Sequence, residues 1–216
     1  MSLLSFRPRE VQDNLINLLR ERGIKCINLP IVEVKGLLSL EEVKKSLEDP
    51  YDFIIFTSQI GVLMVKEALK ENLRAKVIAI GPETLNSLKN LGISAECISK
   101  DYNTRSLALS LVKRGVKGKR ILLFRSKNAE RDLEDILERE GAKTKTLRTH
   151  ELVPNEKVKE AVNLVLREDI KGLIFTSPFI VKVLMSNLRS VEGKLIFSIG
   201  PSTSRALRSF GVKEIY

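Results

Sequence analysis

The chain repeats itself at a fixed interval, and this repetition constrains its fold more than any local pattern does. The segment FRPREVQDNLINLLRERG at 6–23 is similar to FRSKNAERDLEDILEREG at 124–141. Further along, FTSQIGV returns as FTSPFIV, and IAIGPET returns as FSIGPST. Matched residues of these later pairs lie 119 positions apart, as Phe56 and Phe175 do. Self-similarity at one period indicates an internal duplication.

Each copy alternates short apolar runs with helical patterns, which is typical of a parallel sheet with helices on both faces. Five strands in each copy predict an α/β fold made of two flavodoxin-like parallel-sheet domains that arise from the duplication. The sequence SLEE at 39–42 also predicts a capping box at a helix start. The predicted strands are Leu3–Phe6, Ile24–Val34, Phe53–Thr57, Val77–Ile80 and Ala95–Ile98 in the first copy, and Ile121–Phe124, Lys143–Val153, Leu173–Phe175, Leu195–Ile199 and Val212–Ile215 in the second.

Composition narrows the class of protein. With 216 residues, of which 43% are hydrophobic, the chain can bury one large core or two small ones. No apolar run is long enough to cross a bilayer, and no charged leader precedes an apolar segment, so we expect a cytoplasmic protein without a membrane partner. Cys26 and Cys97 lie far apart without metal-ligand spacing, which predicts core thiols and no metal site.

The net charge of +10, with a pI near 9.6, indicates an acidic partner, either nucleic acid or a polyanionic small molecule. Nucleic acid is disfavoured because Lys and Arg are spread along the chain, Trp is absent, and no aromatic run is interleaved with basic residues. Neither G-x-G-x-x-G after the first strand nor G-x-x-x-x-G-K-[ST] is present, so nucleotide use lacks its usual signature.

Residues with hydroxyl side chains and Gly-Pro pairs lie at the junctions where a strand ends and the next helix begins. In an open parallel sheet ligands gather at the carboxyl ends of the strands, beside helix starts whose first amides are unpaired. Such helix starts bind carboxylates and phosphates. Because they occur here in matched pairs, they predict a site for an anion that carries several acidic groups. The alternative is that these residues only cap their helices. These strand–helix junctions are Thr57-Ser58, Gly81-Pro82, Ser177-Pro178 and Gly200-Pro201.

These features together carry a family resemblance. The paired FTS sequences, the IGPST followed by ALRSFG, and the segment GAKTKTLRTHELVP at 141–154 resemble uroporphyrinogen-III synthase along essentially the full chain. The resemblance implies a lyase that closes the linear tetrapyrrole hydroxymethylbilane into uroporphyrinogen III, with inversion of the last ring, on the way to heme, siroheme and cobalamin. It implies no cofactor and no metal. The substrate carries eight carboxylates, which suits the anion that the charge pattern predicts.

The resemblance also implies how the domains are composed. Domain 1 would be discontinuous, formed by 1–33 and 154–216, and domain 2 would be 37–149. Two strand linkers near 29–37 and 147–154 would join them and act as a hinge, with the active site in the cleft between the domains of a monomer. A non-catalytic sensor or binder of a polycarboxylate, built from tandem flavodoxin-like domains, is the alternative function.

The family usually has a Tyr that could donate a proton to the departing hydroxyl where this chain has His150, its single histidine. An imidazole with an ordinary pKa of about 6.5 has both protonation forms available near neutrality, so His150 is a candidate general acid, or else a half-exposed linker residue with no role. Thr203 is the second candidate catalytic residue. Arg7 and Arg125 could instead be solvated charges. The predicted substrate-binding residues are Arg7, Thr57, Ser58, Gly81, Thr84, Tyr102, Arg125, Ser177, Gly200 and Ser202.

Overall fold

The computed structural model describes residues 2–11, 13–69 and 73–216. The described residues do not include Gln12, which falls inside the first repeat segment, or positions 1 and 70–72 of the predicted domains. The strands of the described residues are β1 Ser2–Ser5, β2 Lys25–Asn28, β3 Val32–Gly36, β4 Phe53–Phe56, β5 Lys76–Ala79, β6 Ala95–Cys97, β7 Arg120–Ser126, β8 Lys143–Pro154, β9 Ile170–Phe175 and β10 Leu195–Ser198.

Helices separate most of these strands, as the alternating pattern predicts. The α-helices of the described residues are α1 Asp13–Glu21, α2 Leu40–Glu48, α3 Gln59–Val65, α4 Pro82–Lys89, α5 Thr104–Lys113, α6 Asp132–Arg139, α7 Val158–Val165, α8 Pro178–Met185 and α9 Pro201–Ser209. The predicted capping box is confirmed. Ser39 Oγ accepts from the Glu42 N–H at the start of α2, while the Glu42 carboxylate accepts from the Ser39 N–H.

The strands form two sheets, and the chain divides into two compact units. One sheet has the order β10-β9-β1-β2, and the other has the order β3-β8-β7-β4-β5-β6. Unit 1 consists of residues 1–34 and 152–216, and unit 2 consists of residues 35–151. The pairs β1–β2, β1–β9, β9–β10, β4–β5, β4–β7, β5–β6 and β7–β8 are parallel. The α/β class with parallel sheets is therefore confirmed.

Two predicted strands differ from the structure. The predicted strand 24–34 is two strands in different sheets, because the chain leaves β2 before Pro30, which has no N–H to donate to a ladder, and re-enters as β3. The predicted strand 212–215 is not a strand. It follows Gly211, whose φ of +83° ends α9. Tyr216 contacts β10 through backbone hydrogen bonds to Ile196 and Ser198 and through its ring, whose centroid lies 5.8 Å from that of Phe197.

The core of unit 2 occupies both faces of its sheet. Ile54 and Phe56 of β4 pack in one apolar cluster, whereas Phe53 and Ile55 pack in another. Strands buried on both faces read as continuous apolar runs, which is why FIIF carries no polar alternation. Phe56 stacks on Phe124 of β7 with ring centroids 4.6 Å apart. Unit 1 has its own core, in which β1, β9, α7 and α8 pack together.

Candidate functional site

The carboxyl end of β4 is tied to its neighbours by two hydroxyl groups. The Thr57 hydroxyl donates to the Phe124 carbonyl of β7 at 3.2 Å, and Ser58 Oγ caps α3 by accepting from the Gly61 N–H at 3.0 Å. A Cβ on Gly61 would lie 3.1 Å from Ser58 Oγ and 3.6 Å from Thr149 Oγ1, so the helix start packs closely against β8. The hydroxyl groups of Thr57 and Ser58 therefore both make hydrogen bonds that stabilise this strand end.

A β-bulge changes the register between β7 and β8 at this edge. Arg125 pairs with Arg148, but the next residue, Ser126, pairs with His150, so Thr149 is an extra residue on β8. Bulges re-aim side chains and are common beside active sites. Here the bulge brings Thr149 Oγ1 within 2.8 Å of His150 Nδ1, and the same hydroxyl lies 3.3 Å from the Arg125 carbonyl oxygen. The sequence carries no sign of this bulge.

His150 is buried, with 2% of its surface exposed. Because burial removes water from the charged form, the pKa of His150 is lowered from 6.5 to about 4. The lowered pKa disagrees with the prediction that both protonation forms are available near neutrality, and the burial disagrees with the half-exposed position that the alternative assumed. Near pH 7 the imidazole is neutral. No partner of its Nε2 is present among the residues that the structure describes.

Arg125, predicted to bind substrate, is instead part of an internal ion-pair network. Its guanidinium is 2% exposed and contacts Glu134, which is fully buried, and Asp132 at 3.2 Å. Arg148 Nη2 reaches the other Glu134 oxygen at 3.1 Å, and the Thr146 hydroxyl donates to that oxygen at 3.0 Å. A buried cation requires such partners, which leaves this guanidinium engaged rather than open to a ligand. The network instead fixes the carboxyl end of β7 against α6.

Gly81 and Tyr102 meet at a second strand end of unit 2. Gly81 is the N-cap of α4, and a Cβ on it would lie 3.3 Å from Tyr102 Cβ, so a larger residue would need Tyr102 to shift slightly. Tyr102 has a φ of +50°, a conformation that is uncommon for a residue with a side chain. It is 55% exposed and directly precedes Asn103, which caps α5 by accepting from the Ser106 N–H. An exposed aromatic ring thus stands beside a helix start.

The two strand ends of unit 1 repeat the pattern of unit 2. Ser177 caps α8 by accepting from the Ile180 N–H at 3.2 Å, whereas Gly200, the N-cap of α9, provides no side-chain cap. Ser202 is exposed in the first turn of α9, but Thr203 is 1% exposed. Thr84, the matched residue of unit 2, is also buried, at 4%. The two threonine side chains therefore pack inward, and only the serine presents a hydroxyl at the surface.

Arg7 follows β1 at the same edge of the unit 1 sheet. Its backbone N–H donates to Asn28 Oδ1 at 3.0 Å, and its carbonyl accepts from Asn28 Nδ2 at 3.0 Å. This reciprocal pair fixes the chain where β1 and β2 both end. The pair therefore holds the backbone of Arg7 at the carboxyl end of β1, where the sequence predicts a substrate-binding residue.

Two hollows lie at the opposite edges of the sheets. One, of about 330 Å³, is lined by residues around Gly23 and Lys25, where β2 begins, and belongs to unit 1. The other, of about 370 Å³, is lined by Tyr51, Arg120, Lys143 and neighbours, where β7 and β8 begin, and belongs to unit 2. Neither contains a predicted site residue, because those residues follow the carboxyl ends of the strands.

The described residues lack the groupings that a metal site requires. Among them, no three His, Cys, Asp or Glu side chains are placed so that they could hold a metal ion. Over the same part of the chain, no helix combines the length and apolar character needed to span a membrane.

The fold and these strand ends place the chain among α/β proteins with open parallel sheets, a class that binds ligands at the carboxyl ends of its strands. The family model described as "Uroporphyrinogen-III synthase HemD" matches residues 13–216. The chain belongs to this family.

Named relatives agree with the family match. The chain is 23% identical to the porphyrin biosynthesis protein HemD of Ruminiclostridium josui over 99% of its own length, and it spans only 45% of that relative. It is 26% identical to a putative uroporphyrinogen-III synthase of Methanothermobacter thermautotrophicus, with 97% of the chain and 89% of the relative covered.

Solved structures share the fold. A mutant uroporphyrinogen III synthase from the extremely thermophilic bacterium Thermus thermophilus superposes with a TM-score of 0.68 at 18% identity, covering 100% of this chain and 92% of that one. The synthetase from Helicobacter pylori 26695 gives a TM-score of 0.64 at 19% identity, with the same coverage.

Proposed function

We propose that the chain is a uroporphyrinogen-III synthase, a lyase that closes hydroxymethylbilane with loss of water and inverts the last pyrrole ring. The observation that carries the proposal is the match of the family model to residues 13–216. Three relatives named as synthases, two of them putative, are covered over 89 to 92% of their own length, which supports a shared activity. None of the named relatives supports the alternative of a polycarboxylate sensor. We also propose that this enzyme needs no cofactor, is a monomer and works in the cytoplasm.

The charges of the chain support a substrate with many carboxylates. The net charge is +10, and the first turns of α8 and α9 contain no acidic residue. A helix start without a competing carboxylate attracts an anion through its open amides and the helix dipole, by about 0.3–2 kcal/mol for each contact. The first turn of α4 does contain Glu83, which disfavours an anion there. We therefore propose Ser177, Gly200 and Ser202 as the main carboxylate contacts of unit 1.

The unit 2 residues are proposed in different roles. Tyr102 offers an exposed ring beside Gly81, and such a ring suits the face of a pyrrole. His150 on β8 would contact the substrate as a neutral polar group rather than as a cation. Thr57 and Ser58 shape the edge of the sheet. Arg125 supports the end of β7, Thr84 and Thr203 support their strand ends from within, and the backbone of Arg7 holds the end of β1.

The sheet orders support the proposed duplication. The spacing of 119 residues relates β4 to β9 and β5 to β10, and the matching FR sequences relate β1 to β7. The order β10-β9-β1-β2 of unit 1 then corresponds to β5-β4-β7-β8 within the unit 2 sheet. We propose that both units descend from one flavodoxin-like ancestor and that β3 and β8, in which the chain passes from one unit to the other, are the linkers.

The proposal is tested by following the consumption of enzymatically generated hydroxymethylbilane. The chain, dialysed against a chelator and supplied with no cofactor, should accelerate consumption in proportion to its concentration. Heat-denatured protein is the control for spontaneous closure. A protein that binds the bilane but leaves its rate of closure at the spontaneous value would be a binder and would contradict the proposal.

A further inference from the structure

One hydroxyl group, that of Thr149, faces two polar atoms at the bulge of β8. Thr149 Oγ1 lies 2.8 Å from His150 Nδ1 and 3.3 Å from the carbonyl oxygen of Arg125. Both Thr149 and His150 are buried, at 1% and 2% exposure, so water does not readily replace either contact. The hydroxyl has a single hydrogen, which can be donated only once, and it can accept at its lone pairs.

Only one tautomer of the neutral imidazole satisfies both contacts. A carbonyl oxygen cannot donate, so the approach of Oγ1 to the Arg125 carbonyl requires the hydroxyl hydrogen to lie between them. The hydroxyl must then accept from the imidazole, which places the imidazole hydrogen on Nδ1. If Nδ1 carried no hydrogen, the hydroxyl would donate to Nδ1, and its oxygen would face the carbonyl oxygen without a hydrogen between them. Two oxygen atoms that face each other at 3.3 Å in a buried site, with no hydrogen between them, repel.

We infer that Thr149 is a positioning residue that holds neutral His150 with its hydrogen on Nδ1 and thereby presents Nε2 as a hydrogen-bond acceptor. Among the described residues Nε2 has no hydrogen-bond partner, yet it is not one of their buried unpartnered polar atoms, so the small exposed surface of His150 includes Nε2, where a ligand can donate to it. The bulge is the structural cause, because it places two consecutive side chains of β8 within hydrogen-bond distance.

The consequence for catalysis rests on the proposed function. Loss of the hydroxyl from the first ring of the bilane gives an electrophilic methylene-pyrrolenine, and positive charge builds on the pyrrole N–H as the hydroxyl departs. An acceptor at Nε2 stabilises that charge through a hydrogen bond which strengthens in the transition state. His150 would then accept a hydrogen bond from the pyrrole N–H, which keeps its hydrogen in the cationic form of the methylene-pyrrolenine, and the departing hydroxyl would take a proton from solvent water and leave as water.

The tautomer can be measured directly because the chain has a single histidine. The ¹⁵N chemical shifts and two-bond ¹H couplings of a uniformly ¹⁵N-labelled protein near pH 7 identify which ring nitrogen carries the hydrogen. We expect protonated Nδ1 and unprotonated Nε2 in the wild type. Thr149→Val, which removes the hydroxyl at similar volume, should move the hydrogen towards Nε2, the tautomer that free neutral histidine prefers. Thr149→Ser should keep the wild-type pattern.

The control is Thr144→Val, on the same strand near its amino end, which should leave the imidazole signals unchanged. Backbone amide spectra establish that each variant is folded. If Thr149→Val does not fold, Thr149→Ala removes the hydroxyl in its place and should move the hydrogen in the same direction. A wild-type protein with the hydrogen on Nε2 would overturn the inference. A wild-type pattern that persists in folded Thr149→Val would overturn the role of Thr149.

Kinetics separate this inference from the proposed function. In an active synthase, Thr149→Val should lower kcat by about tenfold, the value of one hydrogen bond, while Thr149→Ser keeps most of the rate. Equal rates in Thr149→Val and the wild type would refute Nε2 as the acceptor for substrate. If the wild type proves inactive on the bilane, the proposed function fails, and the tautomer measurement still decides what Thr149 does.

Discussion

Protonation of His150 should couple the stability of the protein to pH in a defined direction. The pKa of His150 falls from 6.5 to about 4 on burial, so folding stabilises the neutral form. This contribution is complete above about pH 6.5, the pKa of the unfolded chain, and is lost as the pH falls towards the folded-state value. The full shift corresponds to about 3 kcal/mol, and about 2 kcal/mol of it should be lost between pH 7.5 and pH 5.

The variant His150→Asn isolates this contribution. Its amide can still hydrogen-bond the Thr149 hydroxyl, and it does not titrate. Carboxylates titrate alike in both proteins, so the difference between their stability curves reports the imidazole alone. Urea unfolding at a series of pH values, with an unchanged m-value, gives the free energy of unfolding for each protein. The wild type should lose about 2 kcal/mol more than the variant between pH 7.5 and pH 5.

A pair of parallel stability curves would contradict this coupling between pH and stability. If the wild type and His150→Asn lose stability equally on acidification, the imidazole is solvated in the native state. The ¹H resonances of the single imidazole provide an independent check. They should not titrate in the native protein near pH 6.5, and a midpoint there would contradict the burial of His150.

Three further predictions concern the ion-pair network, a helix cap and the substrate. Arg125→Met should destabilise the fold by about 3–5 kcal/mol, because Glu134 would lose a partner in the core, and a loss below about 1 kcal/mol in urea unfolding would show that the pair is not buried. Ser177→Ala should cost about 1 kcal/mol as a lost cap while Ser177→Asn costs little, and equal stabilities of the two variants would refute the capping role. Affinity for uroporphyrinogen III, measured by fluorescence titration, should fall as salt rises, because exposed charges are screened over about 8 Å at physiological ionic strength. A salt-independent affinity would exclude carboxylate capture as the main source of binding.

Local sequence chemistry predicted the helix starts well. Ser58 and Ser177 cap their helices, and Pro82 and Pro201 each occupy the first turn after a glycine, as the residue types require. Such features depend on a few neighbouring residues. For the same reason the α/β class followed from the alternation of apolar runs with helical patterns. The break at Pro30 was also readable in principle, since proline cannot donate to a ladder.

Long-range geometry accounts for what the sequence did not predict. Arg125 looks like an exposed strand-end cation until its partner Glu134, nine residues later, is known to be buried with it. His150 looks half-exposed until the bulge at Thr149 turns it inward. The positive φ of Tyr102 has no signature in its residue type. Each feature depends on contacts between separate elements, which a local pattern does not encode.

The isomer of the product shows whether the chain inverts the last ring of the bilane. Spontaneous closure of hydroxymethylbilane gives the uninverted type I uroporphyrinogen, whereas the proposed enzyme must give type III. The bilane should be incubated with the purified chain, the products oxidised to uroporphyrins, and the isomers separated by chromatography. We expect the fraction of type III to rise with enzyme concentration and to dominate when closure is faster than the spontaneous reaction. A product that remains type I at every enzyme concentration would contradict the proposed function.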